Sequence, residues 1–182
     1  MNPAPNLFFI GPMGAGKTTV GRHIAELFRM PFLDLDQAIE GHTGAPVGLI
    51  FELEDEAGFR LRESAMLAEL TARSGLVLAT GGGAVLSADN RRLLRERGFV
   101  IWLDASVDAQ LARLARDRQR PLLHTPDRRA RLEQLAVERN PLYAEIADLR
   151  LASSGLGNST HAAHDLLDLL EARWRRGNIT AA

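Results

Sequence analysis

The chain has 182 residues, 46% hydrophobic and 25% charged, with a formal net charge of -1; it is the length of one domain able to bury a full core, and it has no overall basic field to attract nucleic acid. Cysteine is absent, which excludes disulfides, thiolate catalysis and Cys-ligated zinc. Leu7-Phe8-Phe9-Ile10 has no basic stretch before it and runs into glycines, so it reads as a strand rather than a signal peptide; no apolar run is long enough for a bilayer, and the default location is the cytoplasm.

Short apolar runs alternate with amphipathic segments, the pattern of a parallel sheet covered by helices on both faces. Strands are expected at Leu7 to Ile10, Phe32 to Asp34, Leu76 to Thr80, Phe99 to Asp104 and Leu149 to Ser153. Val20, Ile24, Leu27 and Phe28 make one apolar stripe of a helix that begins near Lys17. Asp36 to about Arg73 is mainly helical, with a break at Gly44 to Pro46, and the helix from Asp89 is read as ending on Gly98 in the C-terminal glycine position. Arg116 to Asp127, with two prolines and little periodicity, is the candidate mobile loop. Ser159 to Arg176 reads as a closing helix.

Gly11-Pro12-Met13-Gly14-Ala15-Gly16-Lys17-Thr18 matches G-x-x-x-x-G-K-[ST] and lies between a strand and a helix, where that motif must lie. In such a loop the backbone N–H groups and the helix N-terminus cradle phosphates, Lys17 reaches the β- and γ-phosphates of ATP, and Thr18 ligates Mg²⁺. Of 22 basic residues, Lys17 is the only lysine. Asp34 and Asp36 sit at the carboxyl edge of the sheet, where ligands bind. One can hold the metal through its water and the other can accept the proton of an attacking hydroxyl, while the pattern also fits an N-cap of the next helix.

Arg60 and Glu63, three apart on a helix, share a face. They are either a surface ion pair or a guanidinium held ready for a substrate carboxylate. Gly81-Gly82-Gly83 follows the third strand, fitting either a plain turn or a backbone that a ligand approaches closely. Arg113, Arg116, Arg118, Arg120, Arg128, Arg129 and Arg131 crowd one stretch. It lacks aromatic residues for base stacking, which favours a lid whose arginines close over phosphates.

Together the motif Gly11 to Thr18, Asp34-Leu35-Asp36, Phe59-Arg60 with Glu63, Gly81-Gly82-Gly83, Arg120-Pro121-Leu122-Leu123 and Arg139-Asn140-Pro141-Leu142-Tyr143 resemble shikimate kinases, from about Leu7 to Leu170. The resemblance implies an α/β fold of the P-loop, nucleoside-monophosphate-kinase-like type. Its five-stranded parallel sheet has the order 2-3-1-4-5 with helices on both faces, in a single domain over residues 1–182. Substrate-binding helices at about 36–73 and a lid at about 116–127 go with it. The activity implied is ATP-dependent phosphorylation of the 3-hydroxyl of shikimate, on the route to chorismate and the aromatic amino acids. Shikimate and ATP would be its only partners, with Mg²⁺ as cofactor, no nucleic acid, no membrane, and a monomer as the expected state.

Roles follow from the same resemblance. Lys17 and Arg120 would neutralise the transferring phosphoryl group, Thr18 would bind Mg²⁺ directly, and Asp34 would hold its water. Gly14, Ala15, Gly16, Lys17, Thr18, Thr19, Arg113 and Arg120 would contact ATP, Arg113 near the adenine. Asp36 would bind ring hydroxyls and orient the 3-hydroxyl, Arg60 and Arg139 would clamp the carboxylate, and a triplet N–H, Gly82, would meet a ring hydroxyl. Two positions depart from the family pattern: Asp55 stands before Glu56 where glycine is usual, which bears on the local turn, and the loop Ser153 to Asn158 differs, so no adenine contacts are transferred to it.

The nearest alternative is another small-molecule kinase of the same fold, for gluconate or a nucleotide; the two arginines and the glycine triplet favour a hydroxylated carboxylic acid. A GTP-dependent switch is opposed by the lysine count, because Asn-Lys-x-Asp cannot occur when Lys17 is the only lysine.

Overall fold

The computed structural model describes residues 2–115, 125–153 and 159–176. Five parallel strands form the central sheet: β2 (Asn6–Ile10), β3 (Phe32–Asp34), β4 (Val77–Ala79), β5 (Gly98–Asp104) and β6 (Leu149–Ala152), in the order β3-β4-β2-β5-β6. Counted among themselves, the strands run 2-3-1-4-5. The helices are α1 (Lys17–Phe28), α2 (Leu35–Thr43), α3 (Val47–Thr71), α4 (Ala88–Arg97), α5 (Val107–Leu114), α6 (Arg128–Ile146) and α7 (Ser159–Arg173).

Both faces of the sheet are covered, which is why its strands are continuous apolar runs. Along β2, Phe8 and Ile10 enter one core with Leu35, Leu67, Val100, Trp102 and Tyr143. Leu7 and Phe9 enter the other with Ile24, Val77, Ile101, Leu103 and Leu170. No helix among the described residues is long and apolar enough to cross a membrane.

Three details differ from the sequence reading. Gly98 ends α4, as expected, but not in a left-handed turn; its backbone is extended (φ -161°, ψ 171°) and opens β5. Glycine is needed there for room, since a Cβ would stand 2.3 Å from the Phe8 ring. The closing helix ends at Arg173, and Trp174–Arg176 forms a strand, β7, parallel to Asn2–Ala4 (β1). Trp174 leaves the helix because its ring packs edge-on against Phe28, 5.4 Å between centroids, while its indole N–H donates to the Ala4 carbonyl at 2.9 Å. Most of the expected lid, residues 116–124 with Arg116, Arg118 and Arg120, lies outside the described residues, as does the loop 154–158.

The third detail is the joint inside α3, where Asp55 takes φ 59° and ψ -173°, a region almost reserved for glycine. Its carboxylate accepts the Gly58 N–H at 3.1 Å and so caps the helix that follows. The strain costs about 1–3 kcal/mol. Replacing a capping Asp by Gly costs only a few tenths, and the freer unfolded chain about 0.4–1 kcal/mol. Asp55→Gly is therefore expected to stabilise the protein by about 1 kcal/mol, seen as a higher urea midpoint with unchanged slope. A lower midpoint would show that the cap outweighs the strain.

Candidate active site

The phosphate-binding loop turns between the carboxyl end of β2 and α1, with positive φ at Gly11, Gly14 and Gly16. Gly16 is the N-cap of α1, so the first-turn N–H groups of Lys17, Thr18 and Thr19 face the loop's hollow without a side-chain cap. Ala15 is buried against the core beneath. The Lys17 ammonium is buried and donates to the carbonyls of Gly11 and Pro12, both at 2.8 Å.

Asp34 is the N-cap of α2 and also pairs with the phosphate loop. One oxygen accepts the N–H groups of Asp36 (3.1 Å) and Gln37 (3.3 Å) and caps α2; the other accepts the Thr18 hydroxyl at 2.7 Å. The cap sets the entry of α2, and thereby the place of Asp36 in its first turn.

Asp36 faces the glycine triplet. A Cβ built on Gly81 would lie 3.1 Å from an Asp36 carboxylate oxygen and 2.8 Å from Glu63 Oε1, and one on Gly83 would lie 2.3 Å from Arg60 Nη2. The triplet is therefore bare backbone because two carboxylates and a guanidinium occupy the space that side chains would need.

Arg60 and Glu63 are not a surface pair. Glu63 is 1% exposed and Arg60 Nη1 donates to it at 2.7 Å, while Glu56 takes Nη2 at 2.9 Å. Burial pushes the Glu63 carboxyl up, Arg60 pulls it part of the way back, and Asp36 pushes it up again. Burial disfavours the Arg60 cation, but Glu63 and Glu56 outweigh it and hold the guanidinium above its ordinary value. Arg139 is the opposite case: it is 4% exposed, its guanidinium is pulled down by burial, and Nε has no hydrogen-bond partner. Among the described residues no carboxylate pairs with it. Glu63 Oε1 is likewise buried without a partner.

Arg113, at the end of α5, donates to the Gly14 carbonyl at 2.8 Å and to Ser153 Oγ and O at 3.1 and 2.8 Å. It thus joins the phosphate loop to the strand end where the 154–158 loop departs. Other arginines of that crowded stretch have local partners: Arg128 the Leu114 carbonyl, Arg129 Asp108 at 2.6 Å, and Arg131 Gln134 at 2.9 Å. These contacts anchor α6 and pair surface side chains. Arg120 lies outside the described residues.

Two neighbours of Arg60 and Arg139, Glu56 and Tyr143, were given no role from the sequence. Glu56 stands four residues before Arg60, and that i, i+4 spacing is a readable signal. The Tyr143 hydroxyl, which donates to the Gly82 carbonyl, has no local signal, since its partner is 61 residues away.

Both the sequence and the fold match known proteins. The family model for shikimate kinase matches residues 13–171. A shikimate kinase of Stenotrophomonas maltophilia (strain K279a) is 51% identical over 180 residues, covering 99% of this chain and 99% of that protein. The solved structure of a shikimate kinase from Acinetobacter baumannii in complex with shikimate superposes with a TM-score of 0.88 at 47% identity, covering 93% of this chain and 94% of that one. A gluconokinase from Sinorhizobium meliloti shares the fold, with a TM-score of 0.60 at 18% identity over 94% of each chain. With a family model spanning most of the sequence and a relative half identical from end to end, the chain belongs to the shikimate kinase family.

Proposed function

We propose that this protein transfers the γ-phosphate of ATP to the 3-hydroxyl of shikimate, acting as a cytoplasmic monomer on small molecules rather than on nucleic acid. The observation that carries the choice of acceptor is Arg139: a buried guanidinium with no carboxylate partner among the described residues, close enough to Arg60 for the two cations to oppose each other's charge. A buried unpaired cation is costly, and a substrate carboxylate would relieve that cost. A neutral sugar would not.

In this reading α2 and α3 form the acceptor side and the loop at Gly11 to Thr18 the donor side. Gly14, Ala15, Gly16, Thr18 and Thr19 present backbone N–H groups to the phosphates, and Lys17 turns from the loop carbonyls to the transferring group. Arg113 lies on the adenine side. Arg60, held by Glu63 and Glu56, and Arg139 grip the carboxylate. The backbone at Gly82 meets a ring hydroxyl, and Asp36 orients the 3-hydroxyl and accepts its proton. For Arg120 the resemblance alone supports a phosphate contact.

The Thr18 hydroxyl and Asp34 carboxylate, 2.7 Å apart, are the hard oxygen donors that Mg²⁺ takes. No group of three or more His, Cys, Asp or Glu that could hold a metal occurs among the described residues, so an ion here would draw its other ligands from ATP and water, as Mg²⁺ commonly does. When bound, it neutralises charge on the β- and γ-phosphate oxygens.

A coupled ADP-release assay with shikimate, quinate, gluconate and nucleoside monophosphates tests the assignment, with turnover expected for shikimate. Preference for gluconate or a nucleotide would overturn it. Arg60→Lys gives a second check, because an ammonium cannot hold Glu63 and a carboxylate in the planar manner of a guanidinium. Loss of a charged hydrogen bond is expected to lower kcat/KM for shikimate roughly 10–150-fold, mostly through KM, with ATP KM nearly unchanged. An equal effect on both KM values would place Arg60 away from the acceptor.

A further inference from the structure

Tyr143 is the only tyrosine in the chain and lies on α6 one turn after Arg139, so the two side chains share a face. It is 1% exposed, with the Trp102 ring 5.7 Å away between centroids. A buried phenol needs a polar partner, and here it is the main chain of the glycine triplet: the hydroxyl donates to the Gly82 carbonyl at 2.5 Å. The Arg139 guanidinium lies near enough to the same phenol to favour its ionised form against the push of burial. A Cβ on Gly82 would come to 3.4 Å from the Gly11 carbonyl oxygen and 3.5 Å from both the Met13 nitrogen and the Tyr143 hydroxyl. One hydroxyl therefore lies where the phosphate loop, the triplet and the carboxylate clamp meet.

Three successive glycines have wide backbone freedom, and a ligand that must order them loses affinity. A hydrogen bond to the Gly82 carbonyl removes part of that freedom beforehand. Because the peptide unit is planar and trans, holding that carbonyl also sets the direction of the Gly83 N–H.

We propose that Tyr143 is a positioning residue for the acceptor substrate: its hydroxyl fixes the glycine turn and the Arg139 guanidinium relative to each other, so that the backbone facing the ring hydroxyls and the cation facing the carboxylate keep one spacing. This rests on the shikimate reading above. The residue touches no reacting atom; it acts through Gly82 and Arg139.

Steady-state kinetics of Tyr143→Phe, which removes one oxygen and keeps the ring, test the assignment. Shikimate KM is expected to rise roughly five- to tenfold, with kcat and ATP KM within about twofold of wild type. Trp102→Phe is the control: it loosens packing against the ring but leaves the hydroxyl, and is expected to lower the melting temperature without moving shikimate KM. Three results would overturn the proposal: an unchanged shikimate KM in Tyr143→Phe, an equal rise in Trp102→Phe, or a uniform loss across kcat and both KM values. Wild type is assayed in the same series. No wild-type turnover of shikimate would bring down the acceptor assignment and this proposal together, whereas wild-type turnover with an unaltered Tyr143→Phe would remove this proposal alone.

Discussion

Asp36→Asn is expected to lower kcat with shikimate by about 10²–10⁴-fold, the range for removing a general base. The substitution keeps the side chain's size and leaves the backbone N–H of residue 36 on the capping oxygen of Asp34, so α2 should begin where it does now. What it removes is charge and basicity at the oxygen that faces Gly81 beside Glu63. Asp36 also pushes the Glu63 carboxyl up; without that push Glu63 ionises more readily and its grip on Arg60 tightens. The carboxylate clamp should therefore survive, and shikimate KM should change far less than kcat. Rapid-quench measurement of the chemical step, with a thermal melt to verify the fold, checks this. Wild-type turnover in a folded Asp36→Asn protein would move the proton acceptor elsewhere.

Lys17→Met comes second, with an expected fall in kcat of about 10²–10³-fold, comparable to removing one preorganised donor from a transition-state site. The methionine retains most of the stem's length and its packing while deleting the ammonium. In the structure that ammonium rests on the Gly11 and Pro12 carbonyls at 2.8 Å, which holds a buried cation within the loop before a phosphate arrives. Charge develops on the transferring group during reaction, so the deficit should be larger in kcat than in ATP affinity. Because Lys17 is the only lysine, an independent test needs no mutation. An amine-reactive affinity label is expected to modify only Lys17 and the terminal amine, and ATP with Mg²⁺ to protect Lys17. Full activity after stoichiometric Lys17 labelling would remove it from the phosphoryl-transfer step.

The strands were readable in the chain because both faces of the sheet are buried, which leaves continuous apolar runs such as Asn6–Ile10 and Gly98–Asp104 bounded by polar breaks. The phosphate loop was readable for a related reason: its parts are contiguous, so one eight-residue motif contains the turn, the helix start and the cation. Asp34 was legible as either a cap or a functional carboxylate, and local pattern could not choose, because a side chain that caps with one oxygen leaves the other free to meet a distant partner, here the Thr18 hydroxyl.

Elsewhere the deciding partner lies far along the chain. Gly98 has the local look of a helix stop, yet the ring that demands a glycine belongs to Phe8, ninety residues earlier in β2. Trp174 continues an amphipathic helical pattern until Phe28 and the Ala4 carbonyl draw it into a strand. The pair Arg60 and Glu63 has the spacing of a surface ion pair; only the packing of α3 over the triplet buries Glu63 and turns the guanidinium toward Gly83. In the same way the sequence determined that a phosphate cradle, an acid pair, a bare glycine turn and two arginines were present in order. Tertiary structure decided that Asp36, Glu63, Arg60 and Tyr143, carried on α2, α3 and α6, converge on residues 81–83. Such a convergence depends on helices docking on the sheet across separations of twenty to sixty residues, and a local sequence pattern contains no term for it.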